Sequence, residues 1–259
     1  ARAVERGQAM VRAAGLGNIR VEVGDILEVA ETLEGPFDYV IVHGLYAWVP
    51  EVVREATLRL IGRVLSPEGA AMVSYNAMPG GYLRMAVRDM LQYQVAGYAD
   101  PAERLRHARA ILADFVPPRE GDSAALAGLR SVAEPMLRKN DGSLFHDELG
   151  ESYAPQALAD VVAAAARHGL GFLNDATPSV LPDGMPGEDM SDVQVVRVAQ
   201  IDDYRANTFF HMTVFVRAGR QPRRRLDDAV LGSLYAATDV RRLDEQTFQL
   251  GEGAFDLDD

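Results

Sequence analysis

The segment FDYVIVHGLYAWVP, residues 37–50, carries the pattern that decides the fold. Its first part, residues 37–43, is a nearly unbroken apolar run, and such a run is typical of a strand that a parallel sheet buries on both faces. Residues 44–49 follow as a loop, and Pro50 and Glu51 are residue types that favour the first turn of a helix. The segment therefore predicts a strand, a loop at its carboxyl end and a helix.

The segments on either side continue this alternation. Residues 2–14 predict a helix, residues 19–23 alternate apolar and polar side chains as a short strand does, and a short helix or turn comes next. After the helix that begins at Pro50, a turn at residues 66–69 precedes a strand at residues 70–76. Helices that alternate with strands predict an α/β, Rossmann-like, doubly wound sheet that is mostly parallel.

The later part of the chain divides into an insert, a return to the sheet and an extension. Residues 82–154 show helical patterns only and predict an all-helical insert, a lid or regulatory element that interrupts the core begun by residues 1–81. Two of its helices are predicted to begin at Asp100, as a side-chain cap, and at Ser123. Residues 155–220 predict the last two strands of the sheet, and residues 221–259 a C-terminal extension with a helix and a weak strand. These last two core strands are predicted at residues 170–173 and 211–217.

The composition excludes several functions. A net charge of −12 argues against a nucleic-acid binder, whose affinity comes from Lys and Arg on phosphates, and suits a basic partner instead. No apolar run approaches the roughly 18 residues of a membrane span. The chain contains no cysteine, which excludes disulfides and thiolate metal sites. We therefore expect a cytoplasmic protein that binds neither nucleic acid nor membrane.

The topology predicts where a ligand binds. In an open parallel sheet, ligands bind outside the carboxyl ends of the strands. The predicted strands place three loops there, at residues 24–26, 43–48 and 75–81. The run His-Asp-Glu at residues 146–148 predicts no metal site, because adjacent side chains point in different directions and no second cluster supplies further ligands. We interpret that run as a structural hinge that closes the insert.

Several motifs, in this order and spacing, resemble class I S-adenosylmethionine-dependent methyltransferases. The shorter motifs are Gly24-Asp25-Ile26, Phe37-Asp38-x-Val40-Ile41, Leu65-x-Pro67-x-Gly69, Gly169-x-Gly171-Phe172 and Phe210-x-x-x-Val214-x-Val216-Arg217. The longer ones are Tyr39-x-x-x-His43-Gly44-x-Tyr46-x-Trp48-Val49-Pro50, Ser74-Tyr75-Asn76-x-x-Pro79-Gly80, Val87-Arg88-Asp89-Met90 and Leu144-Phe145-His146-Asp147-Glu148-Leu149. Together they resemble bacterial methyltransferases that carry a methyltransferase regulatory domain, a group that includes rickettsial-type protein lysine methyltransferases. The resemblance covers residues 1–218.

The resemblance implies S-adenosyl-L-methionine as cofactor and an antiparallel last strand. The glycine-rich loop and the acidic residue that hold the methionine and ribose in this family would precede Ala1, so we expect an N-terminally truncated core without its first βαβ part. On the same grounds Asp25 is expected to accept a hydrogen bond from the adenine amino group. Ile26 would pack on the adenine ring, and His43 and Gly44 would pass beside the methionine end, near the methyl donor.

Four further residues are predicted to contact the substrate. Tyr46 and Trp48 would line a channel for an alkylammonium group or the sulfonium through cation–π attraction, and Tyr75 and Asn76 end the next strand. Tyr46 and Trp48 have an ordinary alternative as anchors of helix packing. A strand-end histidine such as His43 is often a satisfied core group, and Asp25 also suits a turn after glycine. The sequence identifies no catalytic acid or base.

The predicted function is methyl transfer from S-adenosylmethionine, with the lysine of a basic protein as the favoured acceptor. One alternative is a small-molecule methyltransferase of the same fold, since the fold does not fix the substrate. The other is a non-catalytic protein-interaction domain derived from it. The oligomeric state is left open.

Overall fold

The computed structural model describes residues 2–176 and 190–220, together with residues 232, 241–242, 247–250 and 253–256. Residues 1–222 and 223–259 are separate compact units. The helices of the described residues are α1 (Arg2–Ala13), α2 (Ile26–Thr32), α3 (Glu51–Val64), α4 (Gly81–Val95), α5 (Pro101–Phe115), α6 (Ala124–Leu137), α7 (Asp141–Leu149), α8 (Leu158–Ala166), α9 (Asp192–Ala206) and a short 3-10 helix (Tyr46–Trp48). The strands of the first unit are β1 (Phe37–Val42), β2 (Leu65–Asn76), β3 (Leu170–Asp175) and β4 (Phe210–Arg217).

The four strands form one mixed sheet in the order β1-β2-β4-β3. β1 and β2 are parallel, whereas β4 is antiparallel to both β2 and β3. β1, β2 and β3 therefore share one direction, and β4, the last strand of this sheet in the chain, runs against them. This confirms the predicted α/β, Rossmann-like, mostly parallel sheet with an antiparallel last strand.

The core lies between this sheet and the helices α3 and α8. Tyr75 and Phe215 are fully buried side chains on the two central strands, and they pack with Leu58, Ile61 and Val161 from the helices. The predicted helical insert has a second apolar cluster, formed by α4, α5, α6 and α7. No helix in the described part of the chain is long and apolar enough to cross a membrane.

Two predictions about the first strands are wrong. Residues 19–23 form no strand, since no strand of the described residues lies beside them and an extended segment needs a partner for its backbone hydrogen bonds. β1 is not buried on both faces: Tyr39 is 79% and Ile41 69% exposed. β1 is an edge strand in the described sheet, so only its other face packs against the protein.

The region between α3 and the end of β2 also differs from the prediction. The residues predicted as a turn, 66–69, lie inside β2. Leu65 pairs with Phe37 and Ala70 with Tyr39, so six residues of β2 oppose three of β1, and the turn residues form an irregular bulge.

Helix α9 was not predicted, although its sequence carries a start signal. Ser191 and Gln194 form a capping box: Ser191 Oγ accepts a hydrogen bond from Gln194 N, and Gln194 Oε1 accepts one from Ser191 N. The predicted starts of two insert helices are confirmed: Asp100 caps α5 through Ala102 N, and Ser123 caps α6 through Leu126 N.

The second unit contains a small antiparallel sheet of β5 (Arg241–Arg242), β6 (Thr247–Leu250) and β7 (Gly253–Asp256). The helix predicted at the start of the C-terminal extension lies outside the described residues. The division into core, insert and extension stays a prediction.

Candidate functional site

The loop after β1 depends on a glycine. Gly44 has a φ of 70°, a left-handed backbone conformation that residues other than glycine rarely adopt. Its N–H donates to Ser74 Oγ at 2.9 Å, which ties the loop to β2. His43 beside it is exposed, and its ring lies 6.4 Å from that of Phe210. The loop therefore presents an open backbone and an imidazole at the carboxyl end of the sheet.

Asp25 and Ile26 begin helix α2. One carboxylate oxygen of Asp25, Oδ1, accepts a hydrogen bond from Leu27 N at 2.8 Å, so Asp25 is the N-cap of the helix. Among the described residues the other oxygen has no hydrogen-bond partner, and the side chain is exposed. Ile26 is half-buried against the cluster around Ala30. The capping role is thus observed for Asp25, and one oxygen stays available to a ligand.

Tyr46 and Tyr75 lie together in the core. Their rings are 5.9 Å apart, and the Tyr75 hydroxyl forms a 2.9 Å hydrogen bond with Thr213 Oγ1. Burial raises the pKa of Tyr46 to about 12 and that of Tyr75 well above its ordinary value. Both phenols therefore stay neutral at physiological pH. Their predicted contact with substrate stays a prediction.

Trp48 faces arginines of the chain itself. Its ring lies 4.9 Å from that of Tyr153, and the Arg84 guanidinium carbon lies 5.1 Å from the Trp48 centroid and 5.2 Å from the Tyr153 centroid. The Arg88 guanidinium carbon lies 5.8 Å and 4.8 Å from the same two rings. Cation–π attraction at Trp48 therefore joins helix α4 to the loop after β1.

A cavity of about 320 Å³ opens at the carboxyl end of β2, where the insert meets the core. Its lining includes Asn76, Arg84, Lys139, Glu148, Tyr153 and Phe209. Asn76 pairs with Phe210 in the sheet, and the Phe210 ring contacts His43. The cavity and the His43 loop are therefore neighbours. Of the predicted site residues, the structure brings Asn76, Trp48 and His43 near this cavity.

A buried network of charges forms one wall of the cavity. Glu148 is fully buried and accepts hydrogen bonds from Arg84 Nη2 at 2.6 Å and Lys139 Nζ at 2.7 Å. Asp147 accepts from Lys139 Nζ at 2.6 Å. Burial alone would raise the pKa of Asp147, but the hydrogen bond from Lys139 lowers it below its usual range. The Asp147 carboxylate is therefore ionised, and together with Glu148 it holds the ammonium group of Lys139 in the cavity wall.

The sequence did not reveal this network. Residues 146–148 lie inside helix α7 rather than in a hinge. The signal was present in part, since Arg84 and Arg88 are one helical turn apart on one face of α4. Their partner Glu148, however, is 64 residues from Arg84 in the chain. Among the described residues no group of three or more His, Asp or Glu side chains could hold a metal ion.

The Tyr153 hydroxyl is an unused polar group in the cavity wall. Within the described residues it is buried and has no hydrogen-bond partner. Burial raises the pKa of Tyr153, so the hydroxyl keeps its proton. It can donate to or accept from a ligand in the cavity.

His211, on the central strand β4, forms a second buried cluster with carboxylates of β3 and α9. Its Nδ1 lies 2.8 Å from Asp175 Oδ2 and its Nε2 3.0 Å from an Asp203 oxygen. Burial alone would lower the pKa of His211, but the two carboxylates raise it to about 9. An imidazolium between two carboxylates holds α9, β3 and β4 together.

The elevated pKa of His211 predicts a stability that falls in alkaline solution. The folded-state pKa of about 9 exceeds the unfolded value of 6.5, so the stabilisation is complete below pH 6.5 and is lost as pH rises through 9. The free energy of unfolding should decrease over this window by about 3 kcal/mol, measured by urea denaturation at each pH. His211→Gln should flatten the dependence, and His107→Gln should leave it as it is. An unchanged slope in His211→Gln would contradict the assignment.

A larger apolar cavity of about 660 Å³ lies between α8, β3 and α9. It reaches Leu170 and Gly219, at the amino end of β3 and just past the carboxyl end of β4. Because β3 runs in the same direction as β1 and β2, this cavity lies at the amino ends of these strands, whereas the candidate site lies at their carboxyl ends.

Comparison with known proteins identifies relatives of similar sequence. No family model matches the chain. Two uncharacterised proteins of Rickettsia prowazekii are similar in sequence. One is 30% identical over 217 residues, which cover 82% of this chain and 39% of that protein. The other is 28% identical over 149 residues, which cover 57% of this chain and 59% of that protein. The chain thus spans about two fifths to three fifths of the length of these relatives.

Two solved structures of PKMT2 from Rickettsia typhi share the fold. The first has a TM-score of 0.73 and 23% sequence identity, and the match covers 93% of this chain and 47% of that PKMT2 chain. The second, in complex with AdoHcy, has a TM-score of 0.77 and 22% sequence identity, and the match covers 96% of this chain and 51% of that PKMT2 chain. The Rossmann-like fold that the methyltransferase resemblance implied is therefore confirmed.

Proposed function

We propose that the protein containing this chain is an S-adenosylmethionine-dependent methyltransferase. The observation that carries the proposal is the shared fold, over nearly the whole chain, with a protein that was solved in complex with AdoHcy, the product of that cofactor. The open features at the carboxyl end of the sheet support it. Among the described residues, one carboxylate oxygen of Asp25 is unpaired and can accept from an adenine amino group, and no atom lies within 4 Å of where a side chain on Gly44 would begin. The residues present therefore fit the cofactor.

We further propose an amine as the methyl acceptor, and a protein lysine as the favoured source. The sequence motifs resemble rickettsial-type protein lysine methyltransferases. Glu148 in the cavity wall and Asp147 beside it form a pair of carboxylates that can hold an ammonium group, as their contacts with Lys139 show. The acidic chain, with its net charge of −12, suits a basic protein substrate. A cavity of about 320 Å³ accommodates a side chain or a small amine, so a small-molecule acceptor is the alternative.

The chain's own groups account for the orientation of the cofactor. Bound S-adenosylmethionine supplies an electrophilic methyl group. The loop of His43 and Gly44 would bind its methionine end, while Asp25 and Ile26 would bind the adenine. An acceptor amine must lose a proton before it attacks, and solvent accepts that proton, because the lowered pKa of Asp147 makes this carboxylate a weak base. Alignment of the two partners then provides most of the acceleration.

Titration calorimetry of S-adenosylhomocysteine into this chain, and into one extended upstream, tests the proposal. We expect binding by the extended chain. Asp25→Ala should weaken this binding by about tenfold through the loss of one hydrogen bond to a charged acceptor. Glu22→Ala, on an exposed side chain nearby, is the matched control and should bind as the parent does. If neither form binds, the protein-interaction domain becomes the better reading.

A further inference from the structure

The candidate acceptor cavity already contains an amine of the chain itself. Lys139 is the only lysine among the 259 residues. It lies in the turn between α6 and α7, lines the cavity and is 24% exposed. Its Nζ is held by Asp147 and Glu148, the two groups that would receive an acceptor's ammonium. Lys139 therefore occupies the place where an incoming lysine would be held.

We propose that Lys139 is a methyl acceptor of its own chain and that its main product is monomethyl-lysine. This inference rests on the proposed methyltransferase function. It adds a modification site in the wall of the cavity, with the ε-amine of Lys139 as the substrate.

The number of carboxylates around Lys139 sets the expected product. An ammonium group has three N–H donors. Two of them point to Asp147 and Glu148, and no third acceptor lies within hydrogen-bond distance among the described residues. A first methyl group replaces the unused N–H and leaves both ion pairs in place, because methylation keeps the charge. A second methyl group would remove a charge-assisted hydrogen bond, and therefore forms less readily.

The position of the cavity brings this amine to the methyl-donor side of the sheet. Asn76 and Phe209 line the cavity together with Lys139, and Phe210, the next residue, contacts His43. The His43 loop is tied to β2 through Gly44 and Ser74, two residues before Asn76. The cavity and the expected methionine end of the cofactor therefore both lie at the carboxyl ends of β1 and β2.

The methyl transfer needs no reactant besides Lys139 and S-adenosylmethionine. The Lys139 ammonium gives one proton to solvent, and the nitrogen lone pair becomes free. That lone pair forms the N–C bond to the methyl carbon, while the C–S bond breaks and its electron pair stays on sulfur. The products are a methylammonium side chain, a neutral thioether and one proton.

The main test is peptide mass spectrometry of the full-length protein after incubation with S-adenosylmethionine. We expect monomethylation of Lys139 with a rate per molecule that does not depend on protein concentration, because the acceptor lies in the cavity of the same chain. Lys139→Arg keeps the positive charge and should carry no label at this position. A protein that binds S-adenosylhomocysteine in the calorimeter and leaves Lys139 unmodified would overturn the inference while leaving the proposed function standing. A rate that rises with concentration would also overturn it.

A matched pair of variants tests whether the ion pairs set the degree of methylation. Asp147→Ala frees a second N–H, so the share of dimethyl-lysine should rise severalfold. Asp141→Ala, whose exposed carboxylate pairs with Arg109 at the other end of α7, should give the parent distribution. Equal distributions in all three proteins would contradict the role of the ion pairs.

Chemical methylation gives a readout that needs no cofactor. Formaldehyde with a borane reductant should methylate Lys139 in the folded parent, with monomethyl-lysine accumulating before dimethyl-lysine. A Lys139 that stays unmodified until the protein is unfolded would show that its nitrogen is out of reach, and would overturn the inference.

Discussion

Glu148→Gln is expected to lower the free energy of unfolding by about 3 kcal/mol. The side chain is fully buried and pairs with Arg84 and Lys139, and Arg88 Nη1 lies 3.9 Å away. Removing one member of a buried ion pair leaves its partners charged and poorly compensated, which costs several kcal/mol. Glutamine keeps the size and one acceptor oxygen, so the loss reports the charge. Urea denaturation of parent and variant at neutral pH measures it.

The control is an ion pair of the same type on the surface of the insert. Glu134 and Arg138 are about half or more exposed, and their N–O distance is 2.8 Å. Glu134→Gln should change the stability by less than about 1 kcal/mol, as exposed pairs do. The double variant Glu148→Gln with Lys139→Met removes a cation as well as the anion, and should recover part of the loss. Equal effects of Glu148→Gln and Glu134→Gln would contradict the buried network.

Phe215→Ala is expected to destabilise the first unit by about 3–5 kcal/mol. Phe215 lies in the middle of β4, is fully buried and pairs with Ala71 of β2 and Phe172 of β3. The substitution removes apolar contacts with both neighbours and leaves a cavity that two paired strands cannot easily fill. Thermal and chemical unfolding, followed by circular dichroism, measure the change.

Phe209→Ala is the matched control for this prediction. Phe209 lies directly before β4 and is 68% exposed. Its truncation should cost less than about 1 kcal/mol, because most of its surface contacts water in the folded chain already. A similar loss in both variants would contradict the central position of β4.

Much of the fold could be predicted because local patterns decide it. The apolar run at β1 and the caps Asp100 and Ser123 gave the correct elements at nearly the correct positions. The bulge at residues 66–69 was not predictable, because Pro and Gly suit a turn and only the pairing with β1 draws them into a strand. The exposed face of Tyr39 likewise depends on which elements lie beside β1 rather than on its sequence.

The candidate site was predictable only where it depends on strand ends. Asn76 and the loop of His43 lie at the carboxyl ends of their strands, as the topology requires. Glu148 and Lys139 were missed because they meet Arg84 and the cavity through the packing of three helices, and no periodicity within one segment encodes that contact. Lys139 was recognisable from the sequence as the single lysine, but its place beside two carboxylates was not.

The position of β4 between β2 and β3 also affects how the chain can fold during its synthesis. Tyr75 and Thr213, which share a hydrogen bond across β2 and β4, are 138 residues apart. While the ribosome adds the intervening residues, β2 has an unpaired edge, whereas the insert helices can already bury their own apolar cluster. β3 pairs in this sheet only with β4, so it also waits for that strand. The helical insert is therefore expected to fold early, and the sheet closes only when the final strand leaves the exit tunnel.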